Sequence, residues 1–387
     1  MLDALLMLFL SVPPQEAAKK PRLQTVTAAE LMESLADPPL DNLQREPRLV
    51  AAFHAAFAAE DAVRSVPLDP AVVAERRAAA RDAVRAELVG AKAQAPAIEA
   101  ALAEIDARFD RLGGNVFAIL PGKTKRVIVF AAHYDSVPGS RGVIDNWASC
   151  MLLVQLHRAL EPVEREHTFW FLGFAGHEDG GVGSASFVAS LRDKQGAKID
   201  ACVTIDCAGA SAPMAWVGGS SGGILEVVAD AASRAEVPLR IIDFEGGGGD
   251  SCTLRHGALP VAALLGVDVD KASLLHGPGD QLDAIVPEHL LAMHRLTVAL
   301  ATELDTHLEP LHLEYVQDKL RLNDPASGRK PLVPQPIFWP VSEPIATRAA
   351  PLADSAPTTA PQPSKTPPKT PPKTPSPNDK PKDGSPP

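Results

Sequence analysis

The sequence predicts an α/β fold of three layers, a mostly parallel mixed sheet between helices, preceded by a helical segment and followed by a disordered tail. Three observations carry this. Between about Asn115 and Leu308, short apolar runs without alternation are separated by helical stretches, the pattern of strands covered on both faces. Upstream the chain is rich in Ala, Glu, Arg and Leu at helical spacing. Downstream it becomes dense in Pro, Ser, Thr and Lys.

Residues 1–20 contain the run Leu5-Leu6-Met7-Leu8-Phe9-Leu10, which reads as a secretory signal or as a short apolar arm. Asp3, the lack of a preceding Lys or Arg, and the lack of a small-residue cleavage site depart from the signal pattern. Export to the periplasm or the exterior is nevertheless favoured over the cytoplasm. No other stretch reaches the roughly 18 apolar residues that a membrane span needs.

Residues 21–112 read as a helical prelude, with apolar positions at helical spacing in Ala71–Leu88 and Ile98–Phe109. Its charge runs, such as Glu75-Arg76-Arg77, are solvated helix faces. Residues 113–310 form the main domain. Strands are expected at Val116–Leu120, Arg126–Ala132, Thr168–Ala175, Ala201–Ile205, Ala215–Gly218, Leu239–Phe244 and Val261–Val267. Helices are expected at Asn146–Leu160, Ser184–Leu191, Gly223–Ala235 and Pro287–His307. Residues 311–345 read as an irregular extension. In 346–387 the repeats Lys365-Thr366-Pro367-Pro368 and Lys369-Thr370-Pro371-Pro372 hold the chain extended and exclude a packed core.

The net charge of -11 excludes sequence-independent nucleic-acid binding, which needs clustered cations. The four cysteines, Cys150, Cys202, Cys207 and Cys252, lack the close pairing of zinc ribbons and read as buried thiols.

The chemical signal is that apolar strands end on residues able to bind a metal. The run Arg126–Ala132 leads into His133-Tyr134-Asp135, where the Asp is suited to fix the imidazole tautomer. Asp145 follows in Ile144-Asp145-Asn146 and is either a ligand or a helix N-cap. The strand from Thr168 runs into His177-Glu178-Asp179, three ionisable groups whose burial a divalent cation would offset. Another strand ends on Asp206, and His276 follows later. In parallel sheets ligands bind at the carboxyl ends of strands. Two His and three carboxylates without a thiolate suit Zn, Mn or Co, and suffice for two ions if one carboxylate bridges.

The order of these residues resembles metallopeptidase family twenty-eight over about Asn115–Leu308. That family holds zinc aminopeptidases, glutamate carboxypeptidases and glutaminyl cyclases, and the resemblance implies a zinc-exopeptidase-like fold. His133-Tyr134-Asp135 is similar to its His-x-Asp, in which the His binds metal and the Asp orients it. Asp145-Asn146 is similar to its Asp-Asn, which bridges, and Asp206 and His276 match its remaining ligands. Asp250 takes the position of an Asp behind the ligands. The family's Glu-Glu pair, general base then ligand, is here His177-Glu178. The resemblance therefore implies a metal set of His133, Asp145, Glu178, Asp206 and His276, two zinc ions, and His177 as catalytic proton carrier beside Asp135. Asp179 and Glu178 are the alternative bases. The expected activity is hydrolysis of peptide or aminoacyl substrates, foremost as an aminopeptidase. The alternatives are a glutaminyl cyclase-like acyltransferase and a noncatalytic binding module retaining the fold. Trp147, Trp216 and Phe244 are either pocket or core residues.

Overall fold

Packing of apolar runs against helices on both sides organises the computed structural model, which describes residues 23–35, 38–39, 41–56, 62–192, 198–243, 248–307 and 335–336. The apolar run at 5–10, the tail at 346–387 and Phe244 lie outside these residues, as does the extension at 311–345 apart from 335–336.

The elements run in the order α1 (Ala28–Ser34), α2 (Asn42–Ala56), β1 (Val63–Val66), α3 (Pro70–Gly90), α4 (Ala95–Phe109), β2 (Asn115–Leu120) and β3 (Arg126–His133). They continue with α5 (Ala148–Leu160), β4 (Thr168–Phe174), α6 (Val182–Arg192), β5 (Lys198–Asp206), β6 (Met214–Trp216) and α7 (Gly222–Arg234). The last are β7 (Arg240–Asp243), α8 (Asp250–His256), β8 (Val261–Leu265), α9 (Pro287–His307) and the two-residue β9 (Gln335–Pro336).

The sheet order is β1-β2-β4-β3-β5-β8-β6-β7-β9. Its centre, β4-β3-β5-β8, is parallel. Strands β1 and β2 add to one side antiparallel, and β6 is antiparallel to β8. Alternation along β3 divides the core in two. Ile128, Phe130 and Ala132 join one cluster with Leu152, Leu153 and Leu300, from α5 and α9. Val127, Val129 and Ala131 join another with Phe187 of α6 and Leu254 of α8. Each buried Phe on these strands contributes about 1.5–3 kcal/mol of apolar transfer.

The prelude is not wholly helical. Its four-residue strand β1 pairs with β2, a segment too short for periodicity to reveal. Helices α3 and α4 pack through Val84, Leu102, Ile105 and Phe109, and Val182 at the start of α6 closes the same cluster. Asp69 caps α3, its carboxylate accepting from Ala71 N at 2.8 Å, with Pro70 at the first helical position. Thr27 and Glu30 form a reciprocal capping box on α1.

Two sequence expectations are corrected. The helix expected from Asn146 begins at Ala148, because Asp145 and Asn146 have non-helical backbone angles. The strand expected over 215–218 is Met214–Trp216, because the chain turns at Gly218 and Gly219, where a Cβ would meet the Trp216 ring. Trp147 and Trp216 are both core residues, 1% and 5% exposed.

Candidate metal centre

Strand parity brings the first two site residues to one face. His133 is the last residue of β3 and continues the Val127, Val129, Ala131 face. Asp206 is the last residue of β5 and continues the face of Cys202. Since β3 and β5 are adjacent and parallel, both side chains emerge together at the carboxyl edge. The turn after β4, on the other side of β3, delivers His177 and Glu178 to the same edge.

Asp145 is the centre of the group. Its Oδ1 lies 3.0 Å from His133 Nε2 and its Oδ2 lies 2.9 Å from His276 Nε2. His276 Nε2 is also 3.3 Å from Glu178 Oε1. Ligating atoms of His133, Asp145 and Glu178 fall within 4.8 Å of one another. Asp145 does not act as an N-cap, since Trp147 occupies that position of α5 and makes no side-chain cap bond. Asp206 is held by Asn146, whose Nδ2 donates to Asp206 Oδ1 at 2.8 Å while its Oδ1 accepts from Cys207 N at 3.0 Å. His276 adopts a left-handed φ of 60°, uncommon for a non-glycine residue and found here at a candidate ligand.

Asp135 acts on two neighbours. Its backbone carbonyl is 3.1 Å from His133 Nδ1, with the carboxylate Oδ1 farther off at 3.6 Å. The carboxylate accepts from His177 N at 3.1 Å and Glu178 N at 3.0 Å. The sequence reading gave the ring-orienting role to this carboxylate, whereas the shorter contact to the ring is from the carbonyl. The carboxylate chiefly fixes the 177–178 turn.

His177 stacks on His133, with ring centroids 3.8 Å apart and planes 7° from parallel. Its Nδ1 is 3.0 Å from Oδ2 of the buried Asp250, the first residue of α8. Asp179 points elsewhere: Arg108 of α4 binds its carboxylate.

Burial and mutual charge set the protonation states. Burial would raise Asp145, but hydrogen bonds from His133 and His276 hold its carboxyl well below the usual range. Burial pushes Asp206 up to about 6, against the pull of His177 and His133. Asp280 also rises to about 6 through burial and Asp145, while accepting from Ile144 N at 2.6 Å and Ser140 Oγ at 3.2 Å. Burial and His133 both lower His177, but Asp250 and Glu178 outweigh them and its pKa rises to about 9.

This donor set fits divalent cations. His133, Asp145 and Glu178 offer ligating atoms within 4.8 Å of one another, His276 contacts Asp145 and Glu178, and each oxygen of Asp145 faces a different imidazole, while Asp206 stands beside them bonded to Asn146. Sequence reasoning quoted Asn146 without a role and missed Ser140 and Arg108. Asn146, next to an acidic ligand, was the legible one. The cysteines carry none of the site: Cys150, Cys202 and Cys207 are buried free thiols and Cys252 is half-buried.

Residues 115–301 match the family model described as Peptidase family M28. A probable leucine aminopeptidase of Arthroderma otae is 26% identical over 208 residues, covering 49% of this chain and 57% of its own length. Aminopeptidase YwaD of Bacillus subtilis is 25% identical over 186 residues, covering 46% of this chain and 41% of its own. The chain thus spans about half the length of the curated relatives it matches. The fold is similar to that of LapB from Legionella pneumophila, with TM-score 0.55, 16% identity and 73% of each chain covered. It is also similar to an Acidobacteriales bacterium glutaminyl cyclase, with TM-score 0.53, 17% identity, and 76% of this chain and 98% of that one covered.

Proposed function

We propose, from the match of residues 115–301 to the Peptidase family M28 model, that this chain is a zinc-dependent aminopeptidase with a two-ion centre. The observation that supports this best is the division of Asp145, one oxygen toward His133 and the other toward His276. Asp145 would be shared, with His133 and Asp206 completing one ion's ligands and Glu178 and His276 the other's. Zinc, when bound, polarises a carbonyl and makes water a competent nucleophile near neutral pH.

The chain's own residues supply position and proton movement. Asp135 holds the backbone of His177 and Glu178, so the proton carrier and one ligand move as a unit. Asp250 accepts from His177 Nδ1–H and fixes the tautomer; in the metal-free site the carboxylates hold His177 protonated near neutral pH, and cations bound beside it would favour the neutral ring, whose Nε2 takes a proton from the attacking water and returns it to the leaving amine. The family pattern places a carboxylate at this position, so a neutral base replaces an anionic one. Zinc-loaded protein is expected to release the first residue from peptides with a free amino terminus. His177→Ala is expected to lower kcat by roughly 10²–10⁴-fold, and His177→Glu to retain or exceed the wild-type rate.

The substitution at 177 also motivates a second reading, a binding module that retains the peptidase fold. Equal trace activity in wild type, His177→Ala and His177→Glu would establish that reading in place of the first. Cyclisation of N-terminal glutaminyl peptides, with one zinc per chain, would instead establish an acyltransferase. Export is part of the proposal and rests on the apolar run at 5–10 alone.

A further inference from the structure

Arg45 lies on α2, outside the matched residues 115–301, and its side chain is fully buried. Burying a guanidinium costs several kcal/mol unless its donors are satisfied. Among the described residues its hydrogen bonds go to backbone carbonyls. Nε donates to Pro39 O at 2.8 Å, Nη1 to Tyr134 O at 3.1 Å and Gly142 O at 3.5 Å, and Nη2 to Arg141 O.

These carbonyls belong to two segments that carry candidate ligands. Tyr134 immediately follows His133, and Arg141 and Gly142 lead into the turn that presents Asp145. The guanidinium also lies over the ring of Trp147, 5.9 Å from its centroid, on the far side of Asp145 in the chain. Gly142 has φ +54°, and a Cβ there would sit 3.1 Å from Arg45 Nη1 and 2.8 Å from Asp145 O. The turn is therefore shaped for close approach by the guanidinium. Asn42, at the start of α2, makes a second grip: its Nδ2 donates to Ser136 O at 3.0 Å and its Oδ1 accepts from Ser136 N at 3.1 Å.

We propose that Arg45 is a positioning residue of the metal centre, a brace from the prelude that sets the spacing of His133 and Asp145. The inference rests on the reading of those residues as zinc ligands. If α2 only needed anchoring, an apolar side chain would serve at lower cost, since buried cations rarely outperform well-packed hydrophobes. What an apolar residue cannot do is span two segments. The planar fork of Arg does so from one side chain, and the single ammonium of Lys does not reproduce it.

The test is titration of metal-free full-length protein with zinc, and separately with Co2+ read by its visible absorption, in wild type, Arg45→Lys, Arg45→Met and Asn42→Ala. Circular dichroism and Tm establish that each is folded at the working temperature. Arg45→Lys and Arg45→Met are expected to bind zinc 10- to 100-fold more weakly, as for loss of a partner behind a ligand, and to show an altered Co2+ spectrum. Wild-type affinity and spectrum in either folded Arg45 variant would overturn the proposal. If both Arg45 variants fail to fold, Asn42→Ala decides in their place: weaker zinc binding supports the brace, and unchanged binding overturns it. Wild-type protein that binds zinc but cleaves no peptide would remove the aminopeptidase reading and leave this one standing.

Discussion

The imidazoles of His133 and His177 lie face to face, 3.8 Å between centroids, yet each is tied to a different carboxylate: Asp145 for His133 and Asp250 for His177. One ring is thus committed to the candidate metal group and the other is held beside it with its Nε2 unengaged by Asp250. On the proposed function the pairing would separate ligand from proton carrier and make Asp250 as consequential as the ligands.

Asp250→Asn keeps the shape of the side chain but removes the anion that selects the His177 tautomer. It is expected to lower kcat on the order of 100-fold or more, as loss of the orienting carboxylate does in hydrolytic triads, while leaving zinc content near wild type. Steady-state kinetics with metal analysis checks both parts. An unchanged kcat would mean that Asp250 does not govern His177.

Asp145→Ala removes the carboxylate facing both His133 and His276. Zinc binding is expected to fall by more than the roughly 10- to 100-fold typical of an outer partner, with both ions affected. Chelation of wild type should abolish cleavage, and added zinc should restore it. Retention of two ions by the variant, measured by mass spectrometry of the eluted metal, would contradict a shared ligand.

Gly249 precedes Asp250 with φ +148°, and a Cβ built there lies 3.1 Å from His177 Cε1. Gly249→Ala is expected to displace the His177 ring and lower kcat about tenfold or more, given how steeply rate falls with small misplacements. Zinc affinity should change little, because the added methyl meets His177 and not the ligands. Comparing kcat with zinc titration distinguishes this from general destabilisation.

Away from the centre, burial pushes His157 of α5 down to about 3, with Arg165 and Arg158 adding to the effect. Its ring is edge-on to Phe171, centroids 5.5 Å apart. The folded pKa is below the unfolded value of about 6.5, so the unfolded chain binds the extra proton. The stability contribution is complete above about pH 6.5 and is lost as pH falls from there toward 3, at about 1.4 kcal/mol per pH unit. His157→Leu should show a shallower loss of denaturant stability between pH 6.5 and 4 than wild type. Parallel curves would show that His157 does not titrate on unfolding.

Much of the fold was legible because its signals are local. The unalternating run at 126–132 specified a buried central strand, and spacing in 287–307 specified α9. Strand β1 was not legible, because Val63–Val66 is short and gains its hydrogen bonds only by meeting β2.

By itself the sequence determined which residues stand at the strand ends: His133, Asp206 and the His177-Glu178 pair, in an order that resembles a zinc peptidase. Apolar periodicity and chain order are properties of neighbours, so they survive without coordinates. The resemblance implied a bridging Asp145, but tertiary structure decided which imidazole each of its oxygens faces, that Asp250 claims His177, and that Arg45 reaches Tyr134, 89 positions away. Those contacts are set by where packed helices deliver polar groups against the sheet edge, and a burial cost met by a distant partner leaves no periodic trace at either end of the pair.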